Sequence, residues 1–547
     1  PAPGAATPSP AAPVPARTAA GPRSASTSRA LSLATDPYLI DHSLLQGPES
    51  AGPAASFPIV PMTGTIALIV DAAAALVPER VVIGVRGVRA LRPLAVEPEV
   101  TLFVEVTEQG SPDGDGLTSV TVVVDGQVAQ PDGQSGPRET YARATVLLAD
   151  AYPARPDLAD PPLIAERPPR VDARSLYADR WMFHGPAFRG VTELTTVADN
   201  GVRGVVAELE APGSLLDAAG QLLGYWVARQ PHNGLAIPIV IESVDFFGPH
   251  PETGAQFATT VWVRFLTDVE VVADLTLRDA DGRLWCSITG WTDRRMEGNE
   301  RTLAAFRHPA RVPLTDRQEG GWHLLVEPWS DPAARDIAAR QYLSPTEYEQ
   351  LSGRTPRAAR HWLLGRIAAK DAVRDLLWAA GAGRIYPAEI EVGNEASGAP
   401  HVSGPGTEGL SVSLAHSGPF AAAIVGRGGS VGIDLELVSD APAEAALLTP
   451  AERDLLDTIA PGTSDAAERA VWVTRFWTAK EAVAKAAGTG LGGRPARFVV
   501  TRVENDRLLV VVDGGGRWVT TSSGELPVPF AVGWTQESDM LGPDLGS

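Results

Sequence analysis

Two acidic residues interrupt an apolar stretch near the end of the chain. In "VGIDLELV" (431–438), Asp434 and Glu436 alternate with isoleucine and leucine residues. Period-two alternation predicts a strand with both carboxylates on one face. Two like charges in such positions repel each other, so a cation is expected beside them.

A second stretch supplies a third carboxylate. "RFWTAKEAVAKAAGTGL" (475–491) predicts a helix closed by glycines, and it carries Glu481 and Lys485 one turn apart. Carboxylates from a strand and a helix form a hard oxygen site of the kind that binds Mg²⁺ with substrate phosphates. On spacing alone, a surface strand beside a helix with an i,i+4 ion pair is the competing interpretation.

A histidine and an aspartate occupy matching places in two upstream blocks. His42 precedes one predicted helix, and Asp217 begins another, with Gln221 one turn further on the same face. If the blocks pack side by side, His42 and Asp217 meet as a base and an acid. A structural histidine, and an aspartate that only favours the helix dipole, are the competing interpretations.

The pattern of elements divides the chain into three blocks. Predicted helices at 62–77 and 214–229 are each followed by strand-rich sequence, which indicates two copies of one α+β unit. In the third block, strands alternate with predicted helices at 345–380, 449–460 and 465–488. Its predicted strands are 410–415, 420–426, 430–437, 496–503, 507–512 and 529–534.

Composition excludes several classes of protein. The net charge of −20 argues against a general nucleic-acid binder, and no apolar run is long enough to span a bilayer. The single cysteine, Cys286, rules out an internal disulfide and is typical of the reducing cytoplasm. Residues 1–30 are rich in proline, alanine and serine, so we expect a flexible linker within a larger polypeptide.

Three motifs in the third block resemble the Sfp-type 4′-phosphopantetheinyl transferases. They are "SLAHSG" (413–418), "VGIDLE" (431–436) and "FWTAKEAVAK" (476–485), and their order and gaps match that family. The resemblance covers 310–535 and implies a pseudo-twofold α+β fold. It also implies transfer of phosphopantetheine from coenzyme A to a serine of an acyl carrier protein, with Mg²⁺ as cofactor.

The resemblance assigns roles by position. Asp434, Glu436 and Glu481 become the metal ligands, and Glu481 also helps to deprotonate the attacking serine. The residues assigned to coenzyme A are His416, Lys480 and Lys485, with Lys485 beside the diphosphate.

A basic segment offers a site for the nucleotide's 3′-phosphate. "RTPRAARHWLLGR" carries Arg354, Arg357, Arg360 and Arg366 in an otherwise acidic protein. A solvated basic helix face is the alternative interpretation.

Two positions depart from the transferase family. Ala399 stands where a lysine is usual, and Ala415 stands where a serine often precedes the histidine. We expect these departures to weaken the hold on coenzyme A.

The first two blocks resemble the dehydratase domains of polyketide synthases over 31–298. "DPYLIDHSLLQG" is similar to the catalytic-histidine segment, and "LLDAAGQ" to the aspartate motif with its trailing glutamine. "FHGPAFRGV" is similar to the "YGPAF" segment, with His184 in place of tyrosine. The resemblance implies a double hotdog in which His42 removes the proton α to a thioester carbonyl. Asp217, protonated because an apolar tunnel raises its pKa, donates to the leaving hydroxyl, and Gln221 orients it.

Together the two resemblances predict an α+β chain, a double-hotdog dehydratase followed by a phosphopantetheinyl transferase. This order resembles the C-terminal end of enediyne-type iterative polyketide synthases, a setting of antibiotic biosynthesis, with the synthase's own acyl carrier protein as partner. An active transferase beside a structural or carrier-docking hotdog pair is the alternative, as is a module that only binds the carrier. Dimerisation through the hotdog region is left open. The predicted segments are a linker (1–30), the dehydratase (31–298, halves 31–150 and 172–298), the transferase (312–536) and a tail (537–547).

Overall fold

The computed structural model describes residues 22–110, 116–129, 135–230, 235–439, 444–461 and 466–540. No helix within these ranges is long and apolar enough to cross a membrane.

The first two sequence blocks form a single region, called the first region, which consists of eleven strands and four helices. The strands are β1 (Ser24–Leu31), β2 (Val81–Ala90), β3 (Val100–Gly110), β4 (Thr118–Ala129), β5 (Ser135–Ala149), β6 (Val191–Ala198), β7 (Gly201–Ala207), β8 (Ala236–Phe246), β9 (Gln256–Leu266), β10 (Glu270–Arg278) and β11 (Leu284–Arg295). The helices are α1 (Met62–Leu76), α2 (Ala173–Ala178), α3 (Ser214–Val227) and α4 (Glu300–Arg307).

The eleven strands form one antiparallel sheet in the order β1-β3-β4-β5-β2-β8-β11-β10-β9-β7-β6. Helix α1 packs on β2, β3, β4 and β5 of the first five strands, and α3 packs on β6, β7, β9 and β10 of the remaining six. The two halves join where β2 pairs with β8. Each half is therefore a sheet wrapped around its own helix, and the predicted double hotdog is confirmed.

Helix α3 is apolar on nearly every side because it lies in the core of its half. Its buried residues include Leu222, Tyr225 and Trp226. At its start, Gly213 has a φ of 78°, and a Cβ there would lie 2.4 Å from the backbone of Thr63 in α1. The starts of the two central helices lie side by side, and this close approach requires a glycine at position 213.

Two elements of the first region differ from the sequence prediction. Strand β1 pairs with β3 along its whole length, so the prediction of a flexible linker over 1–30 is wrong for its last residues. Residues 1–21 lie outside the described part of the chain. Strands β6 and β7 were missed, although Asn200-Gly201 between them is a typical hairpin turn.

The third sequence block forms the other region, called the third region, which contains eleven strands and six helices. The strands are β12 (Asp316–Arg317), β13 (His323–Val326), β14 (Glu391–Asn394), β15 (Pro400–Ser403), β16 (Leu410–Ser417), β17 (Phe420–Arg427), β18 (Gly432–Leu437), β19 (Val499–Glu504), β20 (Arg507–Val512), β21 (Gly515–Gly524) and β22 (Phe530–Thr535). The helices are α5 (Pro332–Tyr342), α6 (Pro345–Ser352), α7 (Pro356–Ala379), α8 (Glu444–Leu447), α9 (Pro450–Ile459) and α10 (Ala466–Ala486).

The third region has two halves with a common plan. In the first, α7 packs on the sheet β12-β13-β17-β16, and in the second, α10 packs on the sheet β18-β22-β21-β20-β19. The predicted helix over 345–380 is two helices, because Pro356 has no N–H for a continuous helix and starts α7 instead.

A buried ion pair repeats between the two halves. Glu347 in α6 accepts from Lys370 in α7, and Glu452 in α9 accepts from Lys480 in α10 at 2.9 Å. Each glutamate also closes a capping box at the start of its helix and accepts from the backbone N–H of the next sheet segment, at Val392 in one half and at Val500 in the other. This shared device supports the predicted pseudo-twofold arrangement.

The two ends of the third region contact their surroundings. Glu537 accepts from Ser430 at 2.5 Å and pairs with Arg517, so the start of the predicted tail is part of the fold. Residues 541–547 lie outside the described part of the chain. On the other side, Gln341 donates to the backbone carbonyl of Gln46 at 2.6 Å, which joins the third region to the first.

Candidate active sites

The first site lies between the two hotdog halves. His42 ends a short 3₁₀ segment before α1, and Asp217 lies in the first turn of α3. His42 Nε2 is 3.8 Å from Asp217 Oδ1, and both side chains are largely buried. The structure therefore brings the predicted pair together across the interface.

The protonation of His42 follows from its hydrogen bond. Its Nδ1 is 2.9 Å from the carbonyl oxygen of Ile59, an acceptor only, so Nδ1 carries the hydrogen. Nε2 is then the free base, and it points towards Asp217. Burial lowers the pKa of His42 to about 4, against the opposing effect of the Asp217 charge, so the imidazole is neutral near pH 7.

A network of hydrogen bonds holds Asp217. Gln221 donates to Asp217 Oδ2 at 2.8 Å and to the carbonyl oxygen of Phe188 at 2.7 Å, which is the orienting role predicted for it. Tyr177 donates to Gln221 Oε1 at 2.7 Å. These bonds hold Asp217 at Oδ2, whereas His42 is nearest to Oδ1.

Sequence reasoning did not assign His184 to the site. Its Nε2 is 3.2 Å from Asp217 Oδ2, and its buried Nδ1 has no partner among the described residues. The backbone N–H of Gly185 donates to the backbone carbonyl of Asp41 at 2.6 Å. A Cβ at Gly185 would clash with the side chain of Asp41. The substitution of histidine for tyrosine in "FHGPAF" was the available signal.

The pKa of Asp217 differs from the sequence expectation. Burial acts to raise it, as predicted, but the charge and hydrogen bond of His184, together with His42 and Gln221, lower it below its ordinary value. The prediction of a protonated Asp217 is corrected accordingly. The ligating atoms of His42, His184 and Asp217 lie within 4.8 Å of one another, close enough to share a metal ion.

The second site lies where β18 meets α10. Lys485 Nζ donates to Asp434 Oδ1 at 2.7 Å and to the carbonyl oxygens of Leu414 and Ile433. Asp434 is buried, and its Oδ2 has no partner among the described residues. A buried carboxylate oxygen without a donor is costly, so it fits a site that a cation completes.

Glu436 and Glu481 are half-buried beside Asp434. Burial raises the pKa of each, and the charge of Asp434 raises both further. Ser417 donates to Glu436 at 2.8 Å. The ligating atoms of the three carboxylates do not all lie within 4.8 Å of one another in the described chain. Their chemistry fits Mg²⁺, which takes a few carboxylates and completes its shell with water and phosphate oxygens.

A cavity of about 790 Å³ opens beside Lys485. Arg354, Arg357 and His416 line it, as the sequence predicts, and His416 stacks on His361 with ring centres 5.0 Å apart. The cavity is large enough for a nucleotide-sized ligand.

Arg366 is the buried cation of this cavity. Its guanidinium lies 3.5 Å from the centre of the Trp362 ring, and its Nε has no partner among the described residues. Burial lowers its pKa to about 10, so it stays charged at neutral pH. Its Nη2 donates only to the neutral amide oxygen of Asn394, at 3.5 Å, so the guanidinium is a suitable donor to a phosphate.

Two predicted ligands of coenzyme A lie elsewhere. Arg360 pairs with Glu327 and does not line the cavity. Lys480 is fully buried, donating to Glu452 and to the carbonyl of Leu447 at 3.0 Å. Both assignments are corrected, because each side chain already has its partner within the protein.

The two departures from the transferase motifs have different consequences. Ala399 lines the cavity, so the missing lysine removes a cation from it. Ala415 is buried in the core between β16 and β18 and does not line the cavity, so it bears on packing.

Two family models match parts of this chain. Residues 430–523 match the 4′-phosphopantetheinyl transferase superfamily, and residues 155–302 match the polyketide synthase dehydratase N-terminal domain. The two matched segments do not overlap, and they follow the order of the two sites along the chain. Both families are enzymes, so the protein is an enzyme. His42 and His416 lie outside the matched segments.

Solved dehydratase structures are similar to about half of the chain. The dehydratase domain from the CurF module of curacin polyketide synthase is 15% identical, with a TM-score of 0.38, over 50% of this chain and 94% of that one. The bifunctional dehydratase-cyclase domain in ambruticin biosynthesis is 24% identical, with a TM-score of 0.36, over 53% and 95%. The dehydratase domain of RzxB from Pseudomonas fluorescens is 16% identical, with a TM-score of 0.33, over 43% and 86%. No curated protein matches the chain.

Proposed function

We propose that the third region transfers 4′-phosphopantetheine from coenzyme A to a serine of an acyl carrier protein, with Mg²⁺ as cofactor. The observation that carries this is the buried Asp434 Oδ2, which lacks a partner among the described residues and lies beside two more carboxylates. The adjoining basic cavity supplies the place for the nucleotide.

Asp434, Glu436 and Glu481 would hold the Mg²⁺, which neutralises charge on the diphosphate. Arg366 donates to the phosphate oxygens and orients coenzyme A, and Lys485 exchanges one of its two backbone carbonyl acceptors for a phosphate oxygen. The serine Oγ attacks the phosphorus next to the pantetheine, the bond to 3′,5′-ADP breaks, and the serine proton passes to Glu481. Positioning and charge neutralisation supply most of the rate.

Mass spectrometry of the carrier protein tests this proposal. With apo-carrier, coenzyme A and Mg²⁺, we expect the mass of one phosphopantetheine arm to be added, and Asp434→Ala to lower the rate at least about 100-fold. Asp454→Ala, an exposed aspartate in α9, is the matched control and keeps the wild-type rate. Transfer by Asp434→Ala at the wild-type rate would remove the proposal.

For the first region, we propose elimination of water from a 3-hydroxyacyl thioester carried by the same class of partner. The supporting observation is His42 Nε2, held as a neutral base by the bond from Nδ1 to Ile59 and facing Asp217.

The steps balance in protons. His42 Nε2 takes the proton from the carbon α to the thioester, and the C–O bond at the β carbon breaks. The leaving hydroxyl takes a proton shared by His184 Nε2 and Asp217 Oδ2, and departs as water. The proton on His42 then returns to Asp217 Oδ1, 3.8 Å away. The acid is therefore the His184–Asp217 pair. Asp217 does not hold the proton by itself, because its pKa is lowered below the ordinary value.

Enoyl absorbance measures this reaction directly. We expect His42→Phe to lower the rate by about 10²–10⁴-fold, the usual contribution of a general base. His401→Phe, at an exposed histidine of β15, is the matched control. Equal rates for His42→Phe and wild type would favour a docking role for the hotdog pair.

The finer setting we propose is an enediyne-type iterative polyketide synthase whose own carrier protein meets both sites. The two activities support this setting because one loads the arm on which the other's substrate is carried. Supplying carrier domains from enediyne-type and modular synthases in the transfer assay tests the preference. A lower KM for the modular carrier would count against the proposal.

A further inference from the structure

A second basic cavity, of about 320 Å³, lies between the first and third regions. The first region contributes Gln46, Tyr177, Ala178, Arg180, Phe183, His184 and Arg189, and the chain after α4 contributes His308, Ala310, Arg311, Arg384 and Tyr386. The lining of the cavity therefore comes from both regions. Arg307, at the end of α4, holds the chain just before His308: it donates to the backbone carbonyl of Asp179 and lies 3.9 Å from the centre of the Trp181 ring.

The charge of this cavity is opposite to that of the protein. Its lining holds four arginines and two histidines but no aspartate or glutamate, although the whole chain carries a net charge of −20. The guanidinium groups of Arg311 and Arg384 are exposed and have no hydrogen bond or ion pair to the described residues. Like charges collected without counter-charges indicate a site for an anion.

Arg180 is the most enclosed of these cations. Gln46, with its amide oxygen turned towards Arg180, accepts from Nε at 3.2 Å and Nη1 at 2.8 Å. Nη2 is buried and has no partner among the described residues. Burial, together with the charges of Arg189 and Arg307, lowers the pKa of Arg180 to about 10, so the residue stays charged but lacks a counter-ion.

The inner wall of the cavity is part of the first active site. His184 lines the cavity and contacts Asp217 at 3.2 Å, and Tyr177 lines it and donates to Gln221. Arg189 donates to the carbonyl of His184 at 3.0 Å. An anion bound at the arginines is thus connected to the acid pair by residues that line one continuous cavity.

We propose that this cavity binds the phosphate of the phosphopantetheine arm that carries the hydroxyacyl substrate, with Arg180, Arg311 and Arg384 as donors. This inference rests on the proposed dehydration. The transferase region then completes the entrance of the dehydratase site, besides doing its own chemistry. A phosphate fits because it offers several charged oxygens to guanidinium groups arriving from different sides.

Two small substrates with the same acyl group test this. One is the 3-hydroxyacyl thioester of 4′-phosphopantetheine, and the other is the thioester of pantetheine, which lacks the phosphate. For the wild-type protein we expect the phosphorylated substrate to have a KM roughly tenfold lower, the effect of a charge-assisted hydrogen bond. For Arg384→Gln and Arg311→Gln we expect the ratio of the two KM values to approach one. Arg174→Gln, an exposed arginine of α2 that does not line the cavity, should keep the wild-type ratio.

Each outcome decides between the two proposals. Equal KM values in the wild type remove the phosphate site and leave dehydration standing, whereas dehydration of neither substrate removes both. If the arginine variants keep the ratio but raise the KM of the carrier-bound substrate, the arginines contact the carrier surface, and the phosphate site is wrong. The KM of the 3-hydroxyacyl coenzyme A thioester is measured in the same assay. A lower KM for this substrate than for the phosphopantetheine thioester would show a preference for the nucleotide and would also overturn the proposal.

Discussion

The two active sites treat their carboxylates in opposite ways. In the dehydratase site, both oxygens of Asp217 lie near protein partners, namely His42, His184 and Gln221. In the transferase site, Asp434 Oδ2 has no partner among the described residues.

The difference follows from the source of the charged groups that each reaction needs. Dehydration needs only groups that move protons, so the protein holds all of them in place in advance. Transfer needs a cation and a diphosphate that arrive from solution, so the protein leaves donors and acceptors unpaired until they bind. The unpaired oxygen of Asp434 therefore points to a ligand, and the two partnered oxygens of Asp217 point to proton transfer.

The largest expected effect separates the sites by their need for metal. EDTA should abolish transfer, which needs Mg²⁺ to offset the charge of the diphosphate, and excess Mg²⁺ should restore it. The rate of enoyl formation should stay unchanged, because His42, His184 and Asp217 act without a metal. Both rates are measured on the same preparation, and loss of dehydration in EDTA would mean that this histidine cluster binds a metal ion.

The next effect distinguishes buried lysines from the lysine that serves a ligand. Lys480→Met and Lys370→Met should each lower the free energy of unfolding by about 3–5 kcal/mol, because each leaves a buried glutamate without its cation. Urea unfolding with circular dichroism measures both.

Lys485→Met is the contrasting variant. It should lower the transfer rate while moving the midpoint of unfolding less than Lys480→Met does, since Lys485 is partly exposed. A Lys480→Met protein with the wild-type free energy of unfolding would contradict the distinction between the buried Lys480 and the partly exposed Lys485.

A smaller effect is expected for the residue that sequence reasoning missed. His184→Phe should lower kcat for dehydration about 100-fold, because the leaving hydroxyl loses the shared proton. The transfer rate of the same variant serves as the internal control. A change confined to KM would mean that His184 only shapes the cavity.

The smallest effect is a pH dependence. Since burial lowers the pKa of His42 to about 4, the dehydration rate should stay level from pH 7 to pH 5 and fall about tenfold per unit below pH 4. Stability gives a second readout. Between pH 6.5 and 4 the unfolded chain binds a proton at this histidine and the folded protein does not, so unfolding becomes easier as the pH falls. His42→Phe should lack this part of the pH dependence.

Residue spacing predicted most of the fold. The long helices and alternating strands carried clear periodicity, and α1, α9 and α10 lie within two residues of their predicted bounds. Strand β1 escaped prediction because "SASTSRAL" has hardly any apolar residues, and it pairs at the edge of a sheet where most of it stays exposed. Pairing with a distant strand is information that a local pattern does not contain.

The sites were predicted where a motif fixed both residue type and place. His42 and Asp217 lie 3.8 Å apart, as the resemblance led us to expect, whereas the ion pair of Lys485 with Asp434 at 2.7 Å was not predicted. Lys480 was assigned wrongly because a sequence motif does not tell which side of a helix meets the core. The basic cavity between the regions was missed because its arginines come from segments more than a hundred residues apart, and only the folded chain brings them together.

Cys286, the single cysteine, is fully enclosed in β11, and burial raises the pKa of its thiol well above the usual range. Substrates of both proposed reactions carry thiols or thioesters, and an accessible thiolate would exchange with them. The chain is therefore close to a cysteine-free background for chemical labelling. A cysteine introduced beside either cavity would be the one readily modified thiol of the described fold, and fluorophores or crosslinkers could then follow the carrier arm between the two sites.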